Sequence, residues 1–435
     1  MSHRTFTLKY GKGNVSFQIP SGQLLHELLG RNRPPTADLH AAYSRALDHP
    51  IDSAPLREMV RPGETVAITV SDITRGWQRN AETLPCLLDG LNQAGVPDEK
   101  VTVIIAVGAH RKNTPAEFIE LCGPEVCHRV RVVNHDAWDP ANAVFLGRTS
   151  RGTPVEASHL ALEADKLILT GGVIYHYMVG YGGGRKSVMP GICSNTTIQA
   201  CHLWSMEPET GAGRSRLAQS KMTDGNPAHE DMMECASLVR PDFIVNVVPN
   251  LDGDICGIFA GNWVSAWRRA TQMVDAIYGV EIQEKADIVI ATAGGYPKDI
   301  NLYQTTKTMD NAVHAVKDGG VSVILSECPD IREPLEYFRW FDYPTIAEHD
   351  RALRSSYTIA GWCALITREY CRQSPTIMLT RPDNAELARR AGLIPAATID
   401  EALKMAYDRC GKQAPSITVL PNGANTLPIM ACGKQ

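Results

Sequence analysis

The chain has 435 residues, enough for two domains, and 44% of them are hydrophobic, enough to fill two cores. A net charge of −5 offers no basic face to nucleic acid, and no apolar run approaches the roughly 18 residues a membrane helix needs. The first ten residues lack the apolar core of a secretion signal, so a cytoplasmic location is expected, with the twelve cysteines reduced.

In chain order, Thr65–Val70 reads as a buried strand and Ala81–Gly95 as a helix ended by glycine. Val101–Val107 is the next strand, Pro115–Cys122 a helix, and Arg129–Val133 and Lys166–Thr170 continue the strand series. Phe243–Val248 follows a long polar stretch, and a helix over Trp263–Tyr278 leads to a boundary near 279–285. A second series begins with the strand Asp287–Ala291, closed by Gly294-Gly295. Then come a helix over Thr308–Val316, strands Val321–Leu325 and Thr376–Thr380, helices Asn384–Ala391 and Asp400–Cys410, and a last strand Ser416–Leu420. Strands alternating with helices imply an α/β fold in which mostly parallel sheets are covered by helices. The expected division is 1–279 and 280–410, with 411–435 assignable to either domain.

Parallel sheets gather ligands at the carboxyl ends of their strands. Three strands deliver polar groups there: Ser71-Asp72-Ile73-Thr74-Arg75, Gly108-Ala109-His110-Arg111, and Gly171-Gly172-Val173-Ile174-Tyr175-His176. Asp72 and Thr74 also suit a helix cap, whereas a loop arginine such as Arg75 suits a bidentate carboxylate contact. Thirteen histidines are scattered along the chain, so only the placement of His110 and His176 after strands distinguishes them. Cys193 and Cys201 read as small buried or partly buried thiols, and no Cys-x-x-Cys pair suggests a zinc ribbon or a thioredoxin-like site.

Gly180–Ser187 has the length of a phosphate loop, with Gly182-Gly183-Gly184 followed by Arg185-Lys186-Ser187. Arginine before the lysine and the lack of a strand directly before the loop argue against an ATPase. The dinucleotide pattern Gly-x-Gly-x-x-Gly is absent, so a Rossmann-bound nicotinamide has little support. Lysine at the end of a glycine loop can grip an anion or form a covalent bond.

Taken in order, Asp72-Ile73-Thr74-Arg75, Gly108-Ala109-His110, His176, Gly182-Gly183-Gly184-Arg185-Lys186 and His202 resemble the nickel-dependent lactate racemase family. Gly294-Gly295-Tyr296-Pro297, Asn301 to Lys307, and Pro421-Asn422-Gly423 to Leu427-Pro428 extend the resemblance over nearly the whole chain. The resemblance implies a racemase or epimerase inverting C2 of a 2-hydroxy acid by reversible hydride transfer through a transient 2-oxo acid. Its cofactor would be a nickel-pincer nucleotide (a pyridinium-3-thioamide-5-thiocarboxylate mononucleotide carrying nickel), supplied by cofactor-synthesis proteins. His110 and His176 would be the acid/base pair, Lys186 the covalent tether and His202 the metal ligand. Arg75, Gln304 and Lys307 would hold the substrate. Asp72, Thr74, Arg75 and Gly182, Gly183 and Gly184 would seat the nucleotide, in a cleft between the domains. A 2-hydroxy-acid oxidoreductase releasing the 2-oxo acid, or a silent hydroxy-acid-binding homologue, are the alternatives.

Two stretches depart from the expected lactate racemase pattern: Gly76-Trp77-Gln78-Arg79 and Gly361-Trp362-Cys363-Ala364. As pocket-lining segments they would put lactate in doubt as the substrate, with Arg79 a candidate for a second carboxylate.

Overall fold

The computed structural model describes residues 2–431, which form two compact units. One unit comprises Asn32–Ser205 and Arg216–Ile277. Its six-stranded sheet runs Ile255–Gly261, Phe243–Pro249, Lys166–Gly172, Val66–Ser71, Val101–Ala106 and Arg131–Asn134 across its width. All neighbours are parallel except the edge strand Ile255–Gly261. Helices cover the parallel strands, which is why they read as unbroken β-branched runs rather than alternating ones. Leu84, Leu87, Leu88 and Leu91, one stripe of the helix Asn80–Gln93, share a core with Ile68, Val70, Val103 and Ile105.

The helix expected to end at Cys122 continues to Arg129 across a kink at Gly123. Gly123 has φ +84°, and a Cβ there would lie 3.1 Å from the Ala81 carbonyl oxygen. The kink therefore lets the backbone pass close to the neighbouring helix, and only glycine fits it.

The other unit comprises the chain up to Arg31, Met206–Ser215 and the chain from Tyr278. Its six-stranded sheet is parallel throughout, in the order Ile394–Ala396, Thr376–Leu379, Val316–Leu325, Ala286–Thr292, Ile417–Leu420 and Leu24–Glu27. Both ends of the chain therefore differ from the expected division. Leu24–Glu27 pairs with Ile417–Leu420, and Leu427–Met430 pairs with Gly279–Ile282. The strip Met206–Ser215 belongs here through polar anchors. Gly211 and Gly213 donate backbone N–H groups to the buried carboxylate of Asp350 (2.7 and 3.1 Å), and Arg214 donates to the Tyr370 hydroxyl (2.7 Å).

The helix expected from Thr308 begins a turn and a half earlier, at Leu302, because Asn301 caps it by accepting from the Gln304 N–H (2.9 Å). Gly361–Ala364 lies inside the helix Ile359–Gln373 and is buried, and a Cβ on Gly361 would meet the Trp340 ring at 2.5 Å. That stretch packs in the core of its unit. No helix of the described residues is long and apolar enough to cross a membrane.

Candidate active site

In the first sheet the chain steps outward from Val66–Ser71 through Val101–Ala106 to Arg131–Asn134. It then returns to the other flank as Lys166–Gly172. Strand order thus reverses between Val66–Ser71 and Lys166–Gly172, and the crevice beyond their carboxyl ends is where an open α/β sheet binds ligands. Asp72 follows one of these strands and the segment to His176 and Lys186 follows the other, with His110 after the next strand over.

Asp72 ends its strand as the cap of a short helical turn and is 5% exposed. Its carboxylate accepts from the Thr74 N–H (3.2 Å) and hydroxyl (2.5 Å), and its second oxygen lies 2.5 Å from His110 Nδ1. Burial alone would raise the carboxyl, but the hydrogen bond and charge of His110, with Thr74 and Arg75, outweigh it and hold it below the ordinary range. The anion therefore keeps a proton on His110 Nδ1, so that in the neutral ring the lone pair is on Nε2. Gly108, at φ +54° under Pro190, makes the turn that carries His110. Arg75 donates to the Thr74 hydroxyl (2.8 Å) and carbonyl (3.1 Å).

His176 sits on a two-residue hairpin, Tyr175–His176 against Gly180–Tyr181. Both tyrosine hydroxyls donate to the same oxygen of Asp275, at 2.7 Å each, which latches the hairpin. The Met178 N–H donates to His176 Nδ1 (3.3 Å), placing the proton of the neutral ring on Nε2. Burial, then the charges of Lys186, Arg185, Arg75 and His202, push this imidazole well below its usual pKa. The two histidines thus differ: His110 presents a lone pair and His176 a proton.

The triple glycine serves packing. Gly183 (φ +62°) and Gly184 (φ +57°) leave no room for a side chain, since a Cβ would lie 2.7 Å from Val173 and 2.6 Å from the Trp267 ring respectively. The N–H of Gly182 donates to the Ile174 carbonyl (2.8 Å) and that of Gly184 to Asn246 Oδ1 (3.2 Å), so both are engaged within the fold. Arg185, given no role by the sequence, is fully buried and clamps the loop from inside. It donates to the carbonyls of Tyr181 (2.8 Å) and Val179 (2.6 Å) and stacks on Trp267 at 4.5 Å. Gly184→Ala should destabilise this unit by roughly 2–4 kcal/mol, through the left-handed backbone and a rigid indole that must move. A urea midpoint shift measures it.

Beside the clamp, burial and the charges of Arg185 and Arg75 bring the Lys186 amine down to about 7. At neutral pH much of it is unprotonated and nucleophilic. His202 ends the helix Asn195–His202, buried, and its Nδ1–H donates to the Ile198 carbonyl (2.8 Å). That bond fixes the tautomer whose lone pair is on Nε2, the form in which imidazole binds metals. Burial first, then the Lys186 charge, lowers its pKa to about 3. Next to it, Cys201, Asp231 and Cys235 place possible ligand atoms within 4.8 Å of one another. Asp231 already accepts from the Thr149 and Thr153 hydroxyls (2.6 and 2.7 Å), and Cys193 and Cys201 are both buried thiols.

In the other unit, Lys307 donates to Gln304 (2.8 Å) across one turn of the helix Leu302–Ala315. Gly294-Gly295 and Pro421-Asn422-Gly423 end the adjacent strands Ala286–Thr292 and Ile417–Leu420, where the second sheet reverses its own order. The Gly423 N–H donates to the Thr292 carbonyl (2.9 Å). Of the other departing stretch, Trp77 lies over Gly172, where a Cβ would be 2.2 Å from its ring, and Gln78 is buried. Arg79 forms a two-point ion pair with Glu82 (2.6 and 2.5 Å) on the surface, so no second substrate carboxylate is needed to explain it.

Ionisable side chains follow neighbouring strands at the switch point of a parallel sheet, the place where such a fold binds its ligands. Known proteins give the family. The model of the lactate racemase N-terminal domain matches residues 10–213 and that of the C-terminal domain matches residues 281–427. The chain belongs to the lactate racemase family, and its named relatives are isomerases. It is 30% identical over 427 residues to the lactate racemase of Thermoanaerobacterium thermosaccharolyticum, covering 97% of this chain and 98% of that one. It is also 30% identical over 442 residues to the lactate racemase of Lactiplantibacillus plantarum, again over 97% and 98% of the two chains. The structure of the Thermoanaerobacterium lactate racemase apoprotein superposes with a TM-score of 0.88, covering 98% of this chain and 100% of that one at 30% identity. A Thermotoga maritima protein of 16% identity shares the fold, with a TM-score of 0.65 over 92% of this chain and 100% of that one.

Proposed function

We propose that the protein inverts C2 of a 2-hydroxy acid, with lactate the first substrate to test. The observation that carries the proposal is the complementary pair at the switch point, His110 on Asp72 and His176 on the latched hairpin, with Arg75 beside them. The residues fit a nickel-pincer nucleotide: Lys186 offers an amine of lowered basicity for a thioamide link, and His202 a tautomer suited to a metal. When bound, that cofactor supplies the acceptor that takes up and returns the C2 hydrogen with its electron pair. Around it, Arg75 would pair with the substrate carboxylate.

In one pose His110 Nε2 takes the hydroxyl proton, and Asp72 stabilises the imidazolium that results. His176 Nε2–H would hydrogen-bond the oxygen of the opposite pose; to release that proton the ring must take up another at Nδ1, in place of the long Met178 contact. Thr74 and Gly182, Gly183 and Gly184 would border the nucleotide. Hydrogen bonding to His110 supports an orienting role for Asp72 in addition to any part in that seat.

The test is production with cofactor-synthesis proteins, followed by chiral analysis of L- and D-lactate and a panel of longer 2-hydroxy acids. Conversion of either pure enantiomer to a racemate supports the proposal. Free 2-oxo acid accumulating under turnover would point to an oxidoreductase. Cofactor-bearing protein that inverts no member of the panel would overturn the reading. Asp72→Asn should lower kcat on the order of 10²-fold or more with KM little changed, because the amide no longer selects the Nδ1–H tautomer. An unchanged kcat would remove Asp72 from the mechanism.

A further inference from the structure

The second unit has a pocket of about 240 Å³ bordered by Pro344, Ile346, Arg368, Cys371, Arg389 and Arg390. Three arginines line it and no acidic residue does. Burial pushes the Cys371 thiol up to about 12, so it stays neutral and adds no countercharge. Guanidinium groups have the fork geometry that holds oxyanions, and two of these three have no carboxylate partner among the described residues.

The arginines are not equivalent. Arg390 pairs with the exposed Asp342. Arg389 has no ion pair among the described residues, although its place at the end of the helix Ala385–Arg390 suits that helix's dipole. Arg368 has no such explanation, lying within the helix Ile359–Gln373. Its Nη2 donates to the Phe341 carbonyl (3.2 Å), its plane lies 5.8 Å from the Phe341 ring, and its Nη1 is buried with no partner. The nearby acids are engaged: Glu369 pairs with Arg214, and Glu348 closes the cap of the helix Ile346–Ser355 through Thr345. The positive end of that helix lies at the pocket rim.

We infer that this pocket binds a small dianionic oxyanion of the phosphate or dicarboxylate type, held by Arg368 and Arg389 with Arg390 at its edge. It is separate from the candidate active site, which it shares no residue with. Volume limits the ligand to a small molecule, and two guanidinium groups without a carboxylate partner set its charge.

The test is isothermal titration of the full chain with inorganic phosphate and, separately, succinate, against sodium chloride of matched ionic strength. At least one dianion should bind, and the arms tell which type is preferred. Affinity should fall about tenfold in Arg368→Gln and in Arg389→Gln, as expected for a lost charge-assisted contact, and be unchanged in Arg75→Gln. Arg389 is exposed, so its variant tests the site without loss of folding. Binding no stronger than chloride for both dianions, or binding indifferent to Arg389→Gln or abolished by Arg75→Gln, overturns the inference.

Discussion

His110→Ala and His176→Ala are each expected to lower turnover by about 10²–10⁴-fold, the usual contribution of a positioned acid or base, and together to bring it to background. Steady-state rates alone will not tell which histidine serves which enantiomer. Lactate enantiomers have equal free energy, so kcat/KM must stay equal in the two directions in any variant. The assignment is read instead from single-turnover formation of the 2-oxo acid, starting from each pure enantiomer. Loss of His110 should slow one enantiomer more than the other, and loss of His176 should reverse the preference. Equal slowing of both enantiomers in both variants would count against a two-faced acid–base pair. Undiminished turnover in the double variant would remove both residues from the chemistry.

Lys186→Ala and Lys186→Arg should both abolish covalent loading, seen as the absence of added mass on the intact chain. Activity should fall on the order of 10⁴-fold or more, since the residues left behind cannot supply the hydrogen acceptor. The arginine variant separates attachment from charge, because a guanidinium keeps the charge but stays protonated. The Lys186 amine titrates at about 7, below a free lysine, because burial and two guanidinium neighbours disfavour the ammonium. Only the unprotonated amine attacks, so the initial loading rate should fall about tenfold for each pH unit below neutrality and level off above it. A loading rate that keeps rising towards pH 10 would mean that the amine has its ordinary basicity. An unchanged mass adduct in the alanine variant would place the tether elsewhere.

Much of the sheet scaffold could be read from local sequence. Val66–Ser71, Val101–Ala106 and Lys166–Gly172 lie with both faces covered, and burial on both faces writes itself as β-branched runs. The polar groups following them marked the carboxyl ends of these strands. Less legible were effects of residues far apart in the chain. Arg185 is a loop clamp because Trp267 lies against it, and no local pattern announces that contact. The asymmetry between the histidines rests on Asp72 for His110 and on a backbone N–H for His176, and only coordinates reveal the second. The triple glycine looked like a phosphate cradle, yet Trp267 and Val173 account for two of its three glycines. Arg79 was decipherable in principle, since Glu82 stands three residues on, within reach of one helical turn.

Leu24–Glu27 is made near the start of synthesis, but its one neighbour in the sheet among the described residues is Ile417–Leu420, near the end. At ribosomal speeds on the order of 10 residues per second, this segment waits for tens of seconds with its pairing edge open. Closing so long a loop is an entropic step that nothing local can speed. A half-protein starting at Tyr278 would end its sheet on a bare strand, a template for pairing with another chain. Separating the halves by cutting at the visible boundary should therefore give an aggregating C-terminal fragment, and supplying residues 2–31 and 206–215 as separate peptides should restore its solubility.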